Sequence, residues 1–213
     1  MKIYFRALFT ITLLLSFSRP SFSQDAPLRI DKFYTMSGFG FSIPTGGSAA
    51  FMRPKFSTTI GTNIGLGDGH LFLYPKLSLH VFGYDNSLIG KNSNYELEKG
   101  RSSTYLLNVA LGYRKIIRNF AFYGFLGGGG GFVLTPRVMV NQETNMAVLN
   151  NKTNHMGVIE PGAGMEYNIG GANVFIETSY MHGIGDIGDR PFNAVPVTIG
   201  IKPNLSRVFR KKK

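Results

Sequence analysis

The chain has 213 residues with no cysteine, no tryptophan, 27 glycines, 43% hydrophobic residues and a formal charge of +11. The lack of cysteine excludes a disulfide framework and thiol chemistry. The charge excludes a nucleic-acid reader by its placement: Lys2, Arg6 and Arg19 lie in an acid-free leader, which leaves +8, and Lys202, Arg207, Arg210, Lys211, Lys212 and Lys213 follow Pro191 with no acid beside them. The body from Gln24 to Arg190 holds only about +2, whereas nucleic-acid proteins spread their cations over a face or groove.

Residues Met1 to Ser23 combine a positive start, an apolar stretch from Ala7 to Leu15, and the small residues Ser21 and Ser23 before Gln24. That is the layout of a secretory signal peptide, with cleavage predicted near Ser23. The apolar stretch is too short for the roughly 20 residues of a membrane-spanning helix, and Arg19-Pro20 ends any amphipathic helical period. Residues 24–33 are a lead-in, 34–202 a single domain and 203–213 a basic tail.

Eight strand-like runs follow. Tyr34 to Ile43 is aromatic on both faces. Phe56 to Leu66 alternates, with Phe56, Ile60, Ile64 and Leu66 on one face and Ser57, Thr59, Gly61 and Asn63 on the other. Leu71 to Tyr84 is the clearest: Leu71, Leu73, Leu77, Leu79 and Val81 oppose Tyr74, Lys76, Ser78, His80 and Tyr84. Tyr105 to Lys115 sets Leu107, Val109, Leu111 and Tyr113 against Asn108, Ala110, Gly112 and Arg114. Phe120 to Leu134 contains Gly127 to Gly131, read as a strand patch covered by bulky inward side chains from neighbouring strands. Met156 to Ile169 opposes Ile159, Ala163, Met165 and Tyr167 to Glu160, Gly162, Gly164 and Glu166. Asn173 to His182 opposes Val174, Ile176 and Tyr180 to Asn173, Glu177 and Ser179. Ala194 to Lys202 opposes Val195, Val197, Ile199 and Ile201 to Thr198, Gly200 and Lys202. Period two over such lengths is a strand with one apolar and one polar face. Pro75, Pro161 and Pro196 cannot donate to a ladder and predict bulges or strand ends.

Alternation alone fits both a soluble sandwich and a membrane barrel, which has the reverse polarity. Length and connections separate them. The runs exceed the roughly 5 or 6 residues usual for soluble strands and match the 9 to 11 or so needed to cross hydrocarbon at a tilt. Residues 67–70, Arg118-Asn119 and 170–172 are tight turns of Gly/Asn/Asp chemistry. They alternate with longer segments, Pro44 to Pro54, Asp85 to Thr104, Thr135 to His155 and Gly183 to Pro191, the pattern of short periplasmic turns and long outer loops. The prediction is an all-β, eight-stranded antiparallel up-and-down transmembrane barrel. Tyr34, Phe56, Tyr84, Tyr105, Tyr113, Phe120, Tyr167, Tyr180 and Phe192 lie near run ends as candidates for interfacial girdles.

On this rhythm, on the closing run Val195-Pro-Val-Thr-Ile-Gly-Ile-Lys202 and on the phrase Ala110-Leu-Gly-Tyr-Arg114, the chain resembles the small outer-membrane barrels of the OmpA/OmpX type, particularly the barrel proteins of Bacteroidota. The resemblance covers residues 34–202. It implies residence in the outer membrane, contact with its lipids and lipopolysaccharide, and assembly by the barrel-insertion machinery. Many such barrels end on an aromatic residue, whereas this chain runs on through Arg207-Val-Phe-Arg-Lys-Lys-Lys213, so its closing strand would have to be recognised internally.

The chemistry-bearing residues are charges on the polar face: Lys76, His80, Arg114, Glu160, Glu166, Glu177 and Lys202. Inside a narrow barrel a charge is costly unless paired, so these are expected to pair across the lumen and plug it, with Lys76 and Glu177 near mid-height and Arg114, Glu166 and Lys202 toward the periplasmic end. The rival readings are a polar conduit, a lipid-modifying enzyme and a soluble lipocalin-like barrel. No nucleophile, base and acid converge by spacing: Ser78 and His80 share the lumen face, and His182 has the parity opposite to Ser179 and Glu177. Gly183-Ile-Gly-Asp-Ile-Gly188 fits G-x-G-x-x-G but precedes Asp189-Arg190-Pro191 rather than a helix. Asp186 and Asp189 share that loop, and His70, His80, His155 and His182 lack metal-ligand spacing. No cofactor, metal or catalytic residue is expected. The expected role is structural, or surface interaction through residues 85–104 and 135–155.

Overall fold

A computed structural model describes residues 32–84, 100–141, 146–186 and 191–206, with side chains described outside 137–150 and 186. The strands are β1 (Phe33–Pro44), β2 (Met52–Leu66), β3 (Leu71–Tyr84), β4 (Gly100–Ile117), β5 (Phe120–Asn141), β6 (Met146–Asn168), β7 (Ala172–Ser179), β8 (Met181–Asp186) and β9 (Pro191–Pro203). Strands β1 to β6 pair antiparallel in chain order, β7 and β8 each pair antiparallel with both β6 and β9, and β1 closes on β9 from Ser37↔Ile201 to Pro44↔Ala194. The result is a closed up-and-down barrel of eight staves, because β7 and β8 are the two halves of one. The signal-peptide region, the basic tail from Arg207 and most of the Asp85 to Thr104 loop lie outside the described residues.

Closure follows from the turns. Gly67 and Gly69 take left-handed backbone angles (φ 58 and 91) at the β2–β3 turn, and Arg118 does so (φ 55) in the two-residue β4–β5 hairpin. Positive φ gives a two-residue turn the twist of its flanking strands. The three short turns therefore gather at one end of the barrel and the long connections at the other.

The polarity is inverted relative to a water-soluble protein. Phe39, Leu107 and Leu126 are 61 to 62% exposed on the outer wall, whereas Arg114, Glu166 and Lys202 are at most 2% exposed inside. The alternation, the pattern of a wall that meets hydrocarbon, runs along the regular part of the staves and lapses near the long-loop ends of β2, β3 and β9.

Several sequence expectations need correction. Of the nine girdle candidates, Tyr34, Tyr84 and Phe192 point into the lumen, while Phe56, Tyr105, Tyr113, Phe120, Tyr167 and Tyr180 face outward. The segment Thr135 to His155 is no irregular loop: β5 and β6 stay paired up to Asn141↔Met146, because a hairpin satisfies its own backbone whatever its side-chain alternation. Similarly, β4 starts at Gly100 and β8 runs to Asp186.

Pro161 acts on a neighbouring strand rather than on its own. Pro75 and Pro161 sit in unshifted register. The seventh stave instead breaks at Tyr180, whose N–H donates to the Pro161 carbonyl (2.9 Å) while Pro161 has no N–H to return. The register shifts lie elsewhere, between Pro54 and Ser57 in β2 and between His182 and Asp186 in β8.

The glycine run in β5 is a strand, but backbone rather than bulky side chains crowds it. A Cβ on Gly129 or Gly131 would strike the β4 carbonyls of Leu107 or Tyr105. Rings cover glycines at other places, namely Phe72 over Gly112, Phe125 over Gly162 and Tyr123 over Gly164, each pair directly opposite in the ladder.

Candidate functional site

The lumen is filled in layers, each assembled from inward positions of several staves. In the middle layer, Lys76 Nζ on β3 lies 2.6 Å from Glu160 Oε1 on β6 and 3.7 Å from Glu177 Oε1 on β7. Glu160 also accepts from Asn108 Nδ2 (2.5 Å) and Ser179 Oγ (2.5 Å). The hydroxyls of Tyr74 (3.1 Å) and Tyr123 (2.8 Å) donate to Glu177. Multiple donors to each carboxylate are what a buried charge requires.

Nearer the short turns, Glu166 is shared. Its Oε1 is 3.4 Å from Arg114 Nη1 and its Oε2 is 3.4 Å from Lys202 Nζ. Arg114 Nη2 donates to Asn63 Oδ1. The cations also rest on rings: Arg114 over Phe72 (4.7 Å), Lys202 over Tyr123 (4.0 Å) and Phe175 (4.7 Å), Lys76 over Phe125 (4.7 Å). Such faces favour a desolvated cation. Lys76, Arg114 and Lys202 balance Glu160, Glu166 and Glu177 one for one. His80 stands above this network, its Nδ1 2.6 Å from Ser42 Oγ.

Toward the long loops the filling becomes apolar. Phe51, Met52, Phe82, Tyr84, Leu106, Val133, Met156, Met181 and Phe192 form one buried cluster, with Phe82 and Phe192 edge to face at 5.9 Å. The connection expected as the loop Pro44 to Pro54 is a capping element. A 3-10 turn, Gly46–Ala50, precedes Phe51 and Met52, which enter the mouth. Ser48 Oγ accepts from Asn193 N–H (2.9 Å) and donates to the Pro191 carbonyl (3.3 Å), and Thr45 N–H donates to the Asn193 carbonyl (3.0 Å). The cap is thereby pinned to β9.

A cavity of ≈ 10 Å³ lies beside Lys76, His80, Glu160 and Glu177. That is at the limit for a single water. The seven charges singled out from parity all lie in this interior. The seven charges leave out the uncharged partners that complete the interior. Tyr74, Asn63, Asn108 and Ser179 share the charges' faces, a usable signal, whereas Tyr123 sits in the glycine-rich run where no period shows, and Ser42 in the doubly aromatic first run.

Among the described residues the hydroxyl and imidazole groups do not converge on an accessible site. Ser42 and His80 meet only inside, under the apolar cluster, and Ser78 Oγ is 3.1 Å from Thr59 Oγ1. His182 faces outward, with Nδ1 2.7 Å from Asn193 Oδ1, apart from Ser179 and Glu177. His70 Nδ1 lies 3.0 Å from the Arg114 carbonyl. Among the described residues no group of three His, Asp or Glu side chains is placed to hold a metal. Asp189 and the Asp186 side chain lie outside the described residues.

No family model and no curated protein sequence matches the chain. Solved structures do. Neisserial surface protein A matches with a TM-score of 0.57 and 9% identity, over 80% of this chain and 96% of that one. Ail, the attachment invasion locus protein of Yersinia pestis, crystallised with the heparin analogue sucrose octasulfate, matches at 0.45 and 14% identity over 80% and 99%. The N-terminal β-barrel domain of Pseudomonas aeruginosa OprF matches at 0.38 and 13% identity over 81% and 98%. At these identities the likeness concerns fold, and the first match carries it. Together with the eight closed staves and the inverted polarity, it gives the chain the fold of the small eight-stranded outer-membrane β-barrels.

Proposed function

We propose that the chain is an integral outer-membrane protein with a closed lumen, exported by its leader, and that it serves envelope structure and surface contact rather than transport or catalysis. One observation carries this reading: a charge-balanced network fills the lower and middle lumen, and an apolar cluster under a pinned cap fills the mouth. An ion crossing such an interior would have to displace paired charges and then shed its water among phenylalanines and methionines. Reconstituted in planar bilayers, the protein is expected to give no steady conductance. A large, steady conductance would overturn the closed reading.

Surface contact is supported by the β5–β6 hairpin. The β4–β5 ladder ends at Ser103↔Leu134, while β5 and β6 remain paired to Asn141↔Met146, so the hairpin outreaches its neighbour on a rigid support. Shortening residues 137–150 to a tight turn is expected to preserve heat-modifiable gel mobility, the mark of a closed barrel. A non-catalytic role predicts that lipid A from a deletion strain keeps its mass; a mass change would revive the lipid-modifying alternative.

A further inference from the structure

The outer wall gathers three cations that neither the lumen network nor the closed barrel requires. Arg53 and Lys55 on β2 and Arg101 on β4 are exposed and lie at the long-loop end of their strands. Register brings them together: Arg53 pairs with Gly83 and Gly83 with Arg101, so the two arginines occupy one row on either side of a residue without a side chain. The bulge between Pro54 and Ser57 keeps Lys55 and Phe56 both exposed on the outside before inward alternation resumes at Ser57. Lys55 then crosses the glycine, its Cε 3.5 Å from where a Gly83 Cβ would stand, with Arg53 Cβ at 3.4 Å.

The row stands directly above the start of the apolar wall. Phe56 (50% exposed) lies below Arg53, and Tyr105, stacked on Phe132 at 5.0 Å, lies below Arg101. Among the described residues the salt bridges all lie in the lumen, and none involves these three cations. Two strand spacings, roughly 10 Å, separate the two arginine backbones, so like charges face each other without a counter-charge among the described residues. The side chains match an anion with several oxygens: two guanidinium forks that pair oxygens bidentately, and an ammonium on a flexible stem.

We propose that Arg53, Lys55 and Arg101 form a binding site for the phosphorylated head group of an outer-leaflet lipid, whose acyl chains lie along Phe56 and Tyr105. The site rests on the membrane reading above, since only a barrel inserted with its long loops outward sets this row at head-group height.

The test is native mass spectrometry of the detergent-purified full chain with bisphosphorylated lipid A, with the same lipid stripped of phosphate, and with inorganic phosphate as competitor. Bisphosphorylated lipid is expected to be retained and the stripped lipid lost. The R53Q/K55Q/R101Q variant should bind roughly a hundredfold more weakly, given the usual contribution of each basic residue at an anionic membrane surface. The K115Q/R118Q variant, altered at exposed cations of the opposite end, should bind as the parent does. Equal retention of stripped lipid, or an unaffected triple variant, overturns the proposal. Complete displacement by millimolar inorganic phosphate overturns the lipid assignment in favour of a free-anion site. Vesicle insertion and heat-modifiable mobility, followed in parallel, separate the two claims: failure of the parent chain to insert removes the membrane reading and the site with it, whereas normal insertion without phosphate selectivity removes the site alone.

Discussion

The short-turn side and the loop side of the lumen solve the same packing problem with opposite chemistries. Below, Arg114 and Lys202 each lie 3.4 Å from an oxygen of Glu166 and are bedded on Phe72, Tyr123 and Phe175. Above, the Phe82 and Phe192 rings and three methionines fill the bore with no charge. The lower part is specific, since each carboxylate has one set of donors that satisfies it. The upper part is tolerant, because apolar groups of similar volume can replace one another. The seal at the mouth therefore depends on volume, and the rigidity below depends on pairing.

The comparison breaks most readily at Glu166. In Glu166→Ala, Arg114 and Lys202 lose the carboxylate they share, and the expected cost is about 4 kcal/mol. Because the chain has no tryptophan, the urea midpoint is best read from the gel-mobility shift; a cost below about 1 kcal/mol would mean that the lower lumen is wet and screened. Phe192→Ala opens a cavity in the upper cluster and leaves Phe82 without its ring partner, at about 3 kcal/mol. Conductance should stay absent in this variant, since the layers beneath still fill the bore, and a new steady current would show that the apolar cluster alone closes the barrel.

Smaller effects sharpen the contrast. Tyr74→Phe removes one hydroxyl donor from Glu177, a bond to a charged acceptor, at about 1.5 kcal/mol. Its loss should be partly masked when Tyr123→Phe is already present, and strict additivity of the two would argue against a common acceptor. Met181→Leu in the upper cluster should cost less than about 1 kcal/mol by the same assay. A loss as large as that of Tyr74→Phe would show that the seal demands shape as closely as the network demands charge.

Much of this contrast was open to reading from residue order. In β3, strict period two delimited Leu71–Tyr84 and put Lys76 and His80 on the polar face. The pairing of Lys76 with Glu160 was not readable, because the partners are 84 residues apart and their heights depend on the stagger of four strands. The loop-side seal was hidden for another reason. Phe51 and Met52 lie in a Gly- and Pro-bounded connection that reads as surface loop, and only its fold-back onto β9 brings them indoors. Thr135 to His155 was misread because polar composition resembles a loop, whereas a hairpin needs only mutual backbone hydrogen bonds.

By itself the order of residues determined the regular part of the wall: which face of the clearly alternating runs points outward, which points into the bore, and where the three short turns lie. Side-chain parity and turn chemistry are local, so they survive without coordinates. The tertiary structure decided which atoms meet once distant strands are staggered: the sharing of the Glu166 oxygens, the capped mouth, and the basic row around Gly83. Each arises from register and stagger across several strands, a relation that no local pattern encodes.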